Sequence, residues 1–350
     1  MKLTIAVSGI NAIDNPGPGT GIIRALRESA LAQEVELRII GLAYDAMEPG
    51  IYMHDIIDKT YLMPYPSTGR ESFVNRIAYI HERENLSVII SALDAELPLY
   101  MDIETLLDSK FGIKMLIPDR KSFLLRDKTR LSELAEKIGV KVPEYTVCSS
   151  YGDFCAASAA IGYPQMVKGP FYEAFKAYNA AEADEHFHKI VNKWGYPVIV
   201  QRFIVGDEFN VIGCGDGKGG DMGQFAIRKM TVTGLGKVWT AVSIDNQKLL
   251  QASRNLVTHL SWRGGFELET MVDVTRNEIY IIEVNPRFPA WVYMAAAAGI
   301  NLPERMVRML TNRPFERDSD YASGKLMVRY TAEMLRDIKD FEKISTMGEL

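Results

Sequence analysis

The chain has 350 residues, of which 47% are hydrophobic and 24% charged, and its formal net charge is −5. This length predicts two or three compact units with a substantial core, and the lack of a basic block argues against nucleic acid as a partner. The three cysteines form no C-x-x-C pair, which argues against structural zinc and favours a reducing, cytoplasmic setting. The longest apolar stretch, residues 291–300, is too short to span a membrane.

The first third of the chain alternates between strand-like and helix-like patterns. Runs rich in β-branched residues predict strands at 3–7, 35–41, 87–90 and 114–117. Apolar residues at helical spacing predict helices between them. This alternation is typical of a parallel sheet with helices on both faces. We therefore predict an α/β domain over residues 1–118, with its boundary at Pro118.

A glycine-rich loop at residues 17–21 lies between the first strand and the first helix, where dinucleotide-binding proteins hold phosphate. Its spacing is not G-x-G-x-x-G, and no clear acidic residue closes the second strand. A tight turn is therefore favoured here, and nicotinamide binding is kept as the alternative.

The next segment, residues 119–203, mixes short helices and strands and predicts a small α+β unit. Its helices are expected at 127–138, 152–161 and 181–194, and its strands at 145–147, 165–168 and 197–201. Strands dominate afterwards, at 208–213, 223–231, 238–243, 266–274 and 278–284. Two further helices are expected at 246–259 and 291–310. The tail after Asn312 is more polar.

An oxygen-rich pattern near residue 283 predicts a metal site. Glu283 and Asn285 are two residues apart on a predicted strand, so both side chains lie on one face. Glu269 stands on the preceding strand, across a hairpin turn at 275–277. Two carboxylates and an amide oxygen suit Mg²⁺, with Mn²⁺ as an alternative. Arg287 adds a planar fork for phosphate or carboxylate, whereas an ordinary exposed hairpin is the competing interpretation.

Two lysines and one strand upstream are candidates for nucleotide contacts. Lys168 ends an apolar strand, and Lys128 stands at a predicted helix start, where the macrodipole disfavours a cation unless a polyanion binds. Backbone groups at residues 202–204 are placed to meet an adenine edge, with Ile204 packed on its face, and Glu208 to meet ribose hydroxyls. Solvated lysines and a plain linker are the simpler alternatives.

In this order, five segments resemble the ATP-grasp superfamily, and most of all its carbamoyl-phosphate synthetase large-chain branch: 127–128, 139–143, 163–168, 201–208 and 283–287. The resemblance implies an N-terminal Rossmann-like pre-ATP-grasp domain over 1–118. An ATP-grasp fold of two α+β lobes follows, with a small lobe at 119–203 and a catalytic lobe at 204–312. Residues 313–350 are then a C-terminal extension.

The same resemblance implies a role for each candidate residue. Lys128 and Lys168 correspond to phosphate contacts, and Glu208 to the ribose carboxylate. The adenine strand corresponds to Gln201, Arg202, Phe203 and Ile204. The Mg²⁺ ligands correspond to Glu269, Glu283 and Asn285, and a transition-state phosphate contact to Arg287. Two departures stand out. The lid at 169–176 has one glycine, which turns attention to Lys176 as a phosphate contact, and Gln201 is an amide where the family has an acid.

These observations predict an ATP- and Mg²⁺-dependent ligase. It would activate a substrate carboxylate as an acylphosphate for attack by an amine, with Arg228 and Arg287 holding the carboxylate and the phosphoryl group. The expected partners are small-molecule or peptide carboxylates and amines, without nucleic acid or membrane, and a homodimer is left open. The alternatives are a non-catalytic ATP-binding protein and, less favoured, a nicotinamide-dependent oxidoreductase.

Overall fold

The computed structural model describes residues 2–13, 15–170, 173–234, 236–273, 275–317 and 320–350. The chain divides into two compact units. The larger unit comprises residues 1–120, 211–267 and 285–350, and the smaller unit comprises residues 121–210 and 268–284. The predicted four-segment domain division stays a prediction.

The first 210 residues contain eight strands and eight α-helices among the described residues. The strands are β1 (Lys2–Val7), β2 (Glu36–Ala43), β3 (Lys59–Leu62), β4 (Val88–Ile90), β5 (Tyr145–Cys148), β6 (Gln165–Lys168), β7 (Ala174–Ala177) and β8 (Val198–Arg202). The helices are α1 (Gly19–Arg27), α2 (Leu31–Glu34), α3 (Arg70–Glu84), α4 (Leu97–Phe111), α5 (Arg120–Phe123), α6 (Leu131–Ile138), α7 (Tyr151–Ile161) and α8 (Ala180–Trp194).

Longer strands follow. They are β9 (Asp207–Asp216), β10 (Asp221–Val232), β11 (Val238–Ser243), β12 (Arg263–Asp273), β13 (Glu278–Asn285) and β14 (Leu326–Val328). The helices among them are α9 (Gln247–Leu260), α10 (Val292–Ala297), α11 (Leu302–Leu310) and α12 (Ile338–Met347).

The N-terminal part of the larger unit is built on a four-stranded sheet in the order β3-β2-β1-β4. All of its strand pairs are parallel, as the alternating pattern predicts. Most residues of its strands are buried, with Ile5, Val7, Ile39 and Ile89 essentially inaccessible to water. Such strands are buried on both faces, as expected of a parallel sheet.

A six-stranded sheet has the order β13-β12-β9-β10-β11-β14. Strands β10, β11 and β14 belong to the larger unit and pair antiparallel. Ala241 and Met327 are cross-strand partners, and both pack on the main hydrophobic core of that unit.

The smaller unit has an antiparallel sheet in the order β5-β8-β6-β7. Met166 lies opposite Gln201 on β8 and opposite Lys176 on β7. Because side chains alternate between faces, Lys168, Lys176 and Gln201 share one face. Val167 lies on the other face, in a core with residues of α7 and α8. The alternation of side chains along the strands therefore places the polar candidate residues on one face of the sheet and the hydrophobic core on the other.

Several predicted elements differ from the structure. Residues 114–117 form a single bridge from Lys114 to Val88 instead of a strand. The helix predicted at 291–310 is two helices, because Gly299 adopts a φ of +111° and Asn301 caps α11. The helix predicted from Asp127 begins only at Leu131, after a 3₁₀ turn. The predicted strand end at residue 274 lies outside the described residues.

In the described part of the chain, no helix combines the length and the apolar character needed to cross a membrane.

Candidate functional site

Lys168 is the most deeply buried cation of the predicted nucleotide contacts. It is 4% exposed, and its Nζ donates to Oε1 of Gln201 at 2.5 Å. Burial and the neighbouring charge of Lys128 lower the pKa of Lys168 to about 8, whereas Glu283, Glu269 and Glu208 raise it. The fold of the smaller unit therefore brings four of the other predicted charged residues within electrostatic range of Lys168: Lys128, Glu208, Glu269 and Glu283.

Lys128 is 6% exposed, and its Nζ lies 3.1 Å from Oε1 of Glu283. It stands in the 3₁₀ turn before α6, where its backbone N–H donates to the carbonyl of Pro170. Asp127 caps that turn by accepting from the N–H of Thr129 at 2.9 Å. Lys128 precedes the first residue of α6 by three positions, and the carboxylate of Glu283 supplies a counter-charge for it.

The motif at residues 139–143 has a structural role beside β13. Lys141 donates its N–H to the carbonyl of Ile279, and its carbonyl accepts from the N–H of Ile281, each at 2.9 Å. These bonds fix the segment that follows α6 along the strand that carries Glu283.

Gly206 precedes Glu208 for a steric reason. A Cβ atom at this position would lie 2.4 Å from the carbonyl oxygen of Val272, which no larger residue can accommodate without moving the backbone. The backbone at Gly206 thus lies close to that of Val272. Strand β9 begins at the next residue, Asp207, and Glu208 is exposed near its beginning.

The adenine-strand candidates follow β8. Lys176 places its Nζ 3.7 Å from the ring centroid of Phe203, a cation–π contact. Arg202 is exposed, and its Nε and Nη2 both donate to Oε2 of Glu144, at 3.0 and 2.5 Å. Its backbone N–H donates to the carbonyl of Glu144, so that N–H is not available to an adenine edge. Of the predicted lid, Phe171 and Tyr172 lie outside the described residues.

Asn285, in the larger unit, is oriented by a buried carboxylate. Glu267 is 4% exposed and accepts from Nδ2 of Asn285 at 3.0 Å and from Nε1 of Trp291 at 2.7 Å. The amide nitrogen of Asn285 is therefore committed to Glu267, and its Oδ1 is directed the other way, where Nη2 of Arg287 lies 3.4 Å from it. Glu267, which shares a strand face with Glu269, thus positions an amide.

Arg287 is held in the larger unit by Asp94, with Nε 3.2 Å from Oδ1, and both side chains are mostly buried. Asp94 lies in the segment between β4 and α4. Arg228 is exposed on β10, with Val242 as its cross-strand neighbour. The described contacts thus bring Arg287 together with Asn285.

The metal prediction fits the chemistry of its donors. Glu269 and Glu283 act on the same lysine, and Asn285 is two residues after Glu283 on one strand. Within the described ranges, no group of three or more His, Cys, Asp or Glu side chains is arranged to hold a metal. The predicted set contains only two carboxylates, so it stays a prediction.

The glycine-rich loop at 17–21 packs against its own strand. A Cβ at Gly17 or Gly19 would lie 2.3 Å from the carbonyl oxygen of Gly9 or Ser8 respectively. The N–H groups of Gly17 and Gly19 donate at 2.8 Å to carbonyls of Asn11 and Gly9. Glycine is needed here for close packing, and two N–H groups that a phosphate would need are already bonded.

Comparison with known proteins adds to this geometry. Residues 196–334 match the family model described as ATP-grasp in the biosynthetic pathway with Ter operon. The C-terminal section of the carbamoyl phosphate synthase large chain of Methanopyrus kandleri is 22% identical over 204 residues, which are 54% of this chain and 38% of that one. This chain covers only 21% to 38% of the length of such relatives.

Solved structures extend the likeness over nearly the whole chain. N5-carboxyaminoimidazole synthetase from Staphylococcus aureus has a TM-score of 0.69 at 16% identity, covering 99% of this chain and 86% of that one. The biotin carboxylase–βγ-ATP complex from Campylobacter jejuni has a TM-score of 0.66 at 16% identity, covering 89% and 72%. The chain has the ATP-grasp fold.

The resemblance to ATP-grasp ligases of the carbamoyl-phosphate synthetase type is thereby confirmed. The matched segment contains the adenine-strand candidates, the metal candidates and Arg287. Three residues that orient the ATP-grasp candidates are assigned no role by the sequence: Trp291, Asp94 and Glu144. The contacts of these three residues depend on tertiary structure and leave no local pattern in the sequence.

Proposed function

We propose that this protein is an ATP-dependent, Mg²⁺-requiring ligase that activates a substrate carboxylate as an acylphosphate for attack by an amine. The observation that carries the proposal is the charged group in the smaller unit, where a second buried lysine, Lys128, and three carboxylates act on the buried Lys168. A Rossmann-like pre-ATP-grasp domain and two ATP-grasp lobes are part of the same proposal, supported by the parallel N-terminal sheet and by the similar structures.

Nucleotide binding rests on Lys128 and Lys168. Both cations are buried, and the direct partner of Lys168 is a neutral amide. A buried cation without a formal counter-charge in contact is costly, and phosphate oxygens would supply that charge. Phe203 and Ile204 provide apolar surface for adenine, and Glu208 provides a carboxylate at the start of β9 for ribose hydroxyls.

Metal binding is assigned to Glu269, Glu283 and Asn285. Their oxygens are hard donors of the kind that Mg²⁺ prefers together with phosphate oxygens, and Mn²⁺ suits the same set. When bound, the ion supplies charge neutralisation for the β- and γ-phosphates. Glu267 contributes by holding the Asn285 amide, so that its oxygen is available to the metal.

The chain's own groups act mainly by position and charge. Arg287, steadied by Asp94, is placed to hold the transferred phosphoryl group. Arg228 is proposed to hold the substrate carboxylate, and Lys176, on the same sheet face as Lys168, to contact phosphate. The carboxylate oxygen attacks the γ-phosphorus and ADP leaves. An amine then attacks the acyl carbon and releases phosphate, so no side-chain nucleophile is required.

The test is a screen of carboxylate pools with ATP and Mg²⁺, with hydroxylamine added to trap the acylphosphate. We expect at least one pool to give hydroxamate and ADP, and we expect Glu283→Gln to lower that rate by about 100-fold or more. Glu278→Gln is the matched control, because this acid lies on the same strand and pairs with Lys141.

The outcomes separate the rival functions. ATP binding without hydroxamate from any pool would favour the non-catalytic ATP-binding protein, for which the single-glycine lid is the argument. NAD binding without ATP binding would favour an oxidoreductase, although the bonded N–H groups of Gly17 and Gly19 argue against it.

A further inference from the structure

A groove in the larger unit lies between helix α3 and the C-terminal segment, and it shares no residue with the candidate site. Its volume is about 580 Å³, which is within the range of pockets that hold small organic ligands. Three parts of the chain form its walls: residues 62–64 at the end of β3, one side of α3, and residues 345–348 at the end of α12.

The side of α3 that lines the groove is polar. Four of its residues follow the spacing i, i+3, i+4, i+7: Ser72, Asn75, Arg76 and Tyr79. This spacing places them on one face of the helix. The opposite face is buried in the core through Phe73, Ile77 and Ile80. Helix α3 therefore presents hydroxyl, amide and guanidinium groups to the groove.

Arg76 is held in position by neutral groups. Its Nε donates to the carbonyl of Leu62 at 2.8 Å, and its Nη2 donates to the carbonyl of Gly348 at 2.5 Å. In the part of the chain that the structure describes, no carboxylate is paired with Arg76. The acid next to Gly348, Glu349, is instead paired with Lys59 at 3.4 Å. The position of the guanidinium is therefore fixed, whereas its charge is not neutralised.

Backbone hydrogen bonds join the C-terminal wall of the groove to β3, the edge strand of the parallel sheet. The N–H of Leu62 donates to the carbonyl of Gly348 at 2.8 Å, and Thr60 and Leu350 exchange two bonds of 2.8 and 3.0 Å. Gly348 has a φ of +69°, and a Cβ there would lie 2.9 Å from Nη2 of Arg76. The walls are thus preformed, and a ligand in the groove would contact α3 and the C-terminal segment at once.

We propose that this groove binds an organic anion, a carboxylate or a phosphate ester with an apolar body. Arg76 supplies the charge, and the two N–H groups of its Nη1 are not used by its bonds to the two carbonyls. The hydroxyls of Ser72 and Ser345 add neutral hydrogen-bonding groups, and Met347, which is 64% exposed, adds apolar surface. The described residues that line the groove include one cation and no carboxylate, which favours an anion. This site does not depend on the proposed ligase activity.

The test titrates benzoate and phenyl phosphate separately into the full chain at constant ionic strength, with calorimetry as the readout. We expect at least one probe to bind, and Arg76→Gln to raise its dissociation constant about 10-fold. Ser345→Trp should have an effect of about the same size, because it fills the groove from the opposite wall and leaves Arg76 in place. Ser109→Trp, at an exposed position on α4, is the matched control and should bind as wild type does. Benzyl alcohol, a neutral probe with the same ring, should bind at least about 10-fold more weakly than the anion.

The probe that binds distinguishes a carboxylate ligand from a phosphate ester. The proposal is overturned if neither anion binds wild type, if benzyl alcohol binds as tightly as the anions, or if either Arg76→Gln or Ser345→Trp binds both anions as tightly as wild type. If Arg76→Gln does not fold, Ser345→Trp decides by the same criterion. ATP·Mg²⁺ is titrated in parallel. A wild type that binds an anion but not ATP would contradict the proposed ligase and leave this site intact, and one that binds ATP but neither anion would do the reverse.

Discussion

Glu96 in the larger unit and Lys168 in the smaller unit are both buried, and both have neutral hydrogen-bond partners. They differ in the number of side-chain hydrogen bonds that they form. Glu96 is 1% exposed and accepts from the hydroxyls of Ser8, Ser91 and Tyr44, which follow the ends of β1, β4 and β2. Lys168 is 4% exposed, and its Nζ donates to one amide oxygen, that of Gln201.

This difference in hydrogen bonding indicates a structural role for Glu96 and a ligand-binding role for Lys168. Because its three hydroxyl donors follow three different strands, Glu96 links the ends of these strands through hydrogen bonds. Lys168 has three donor hydrogens, so its single side-chain contact leaves it able to bind phosphate oxygens as well. Burial raises the pKa of Glu96 and lowers that of Lys168, so each group is displaced toward its neutral form. Substitutions should then affect stability in one case and binding in the other.

The largest effect is expected for Glu96→Ala. Removing the acceptor leaves three buried hydroxyls without it, and we expect the free energy of unfolding to fall by about 3–5 kcal/mol. Urea denaturation measures this, with Glu82→Ala, at an exposed position on α3, as a control within about 0.5 kcal/mol of wild type. If the free energy of unfolding falls by less than about 1 kcal/mol, Glu96 does not have the structural role that distinguishes it from Lys168.

Lys168→Met should act on binding instead. We expect affinity for ATP·Mg²⁺ to fall about 100-fold, because a buried cation facing the phosphates is lost. Stability should stay equal to wild type or rise, since an apolar side chain of similar length relieves the cost of burying the charge. Calorimetric titration and urea denaturation test the pair of expectations, with Lys189→Met on the exposed side of α8 as control. If Lys168→Met is destabilised but still binds ATP as wild type does, Lys168 has a structural role and not a binding role.

The smallest effect concerns pH. The ammonium form of Lys168 binds phosphate, and its pKa is about 8, so wild-type ATP affinity should decline as pH rises through that value. Gln201→Glu puts a carboxylate where the amide accepts, favours the cation, and should move the decline upward by about one pH unit. Binding measured from pH 6.5 to 9.5 shows the midpoint, and Gln251→Glu on α9 is the control. A midpoint unmoved or lowered in Gln201→Glu would exclude Gln201 as the group that sets it.

The sequence predicts the elements with strong local patterns and fails where tertiary structure decides. β11 occupies the predicted residues 238–243, and α9 begins after Asn246, whose side chain caps it. β3 and β14 are three or four residues long and have no clear alternation, so they escape notice. Gly299 and Pro303 do mark the break between α10 and α11, but the apolar content of the stretch outweighed them.

The candidate site follows the same division. The motif order predicts which charged residues the smaller unit gathers: Lys128 in a turn, Lys168 and Glu208 at strand ends, and Glu269 and Glu283 within two strands. It does not predict that Gln201 accepts from Lys168, since that contact depends on the register of β6 against β8. Nor does it predict that Arg329 donates to the carbonyl of Ala290, because that contact depends on β14 pairing with β11, about ninety residues earlier.

The alternation in the small sheet has a consequence for how the protein can change over time. Lys168, Lys176 and Gln201 occupy one side of the strands, while Val167, Val198 and Val200 occupy the other, under two helices. Substitutions made one by one along β6 and β8 should therefore alternate in their effect. Those on the Lys168 face should impair ligand binding, and those on the Val167 face should impair folding. The binding side can then be revised, for another nucleotide or another phosphate geometry, without the packed side having to be rebuilt.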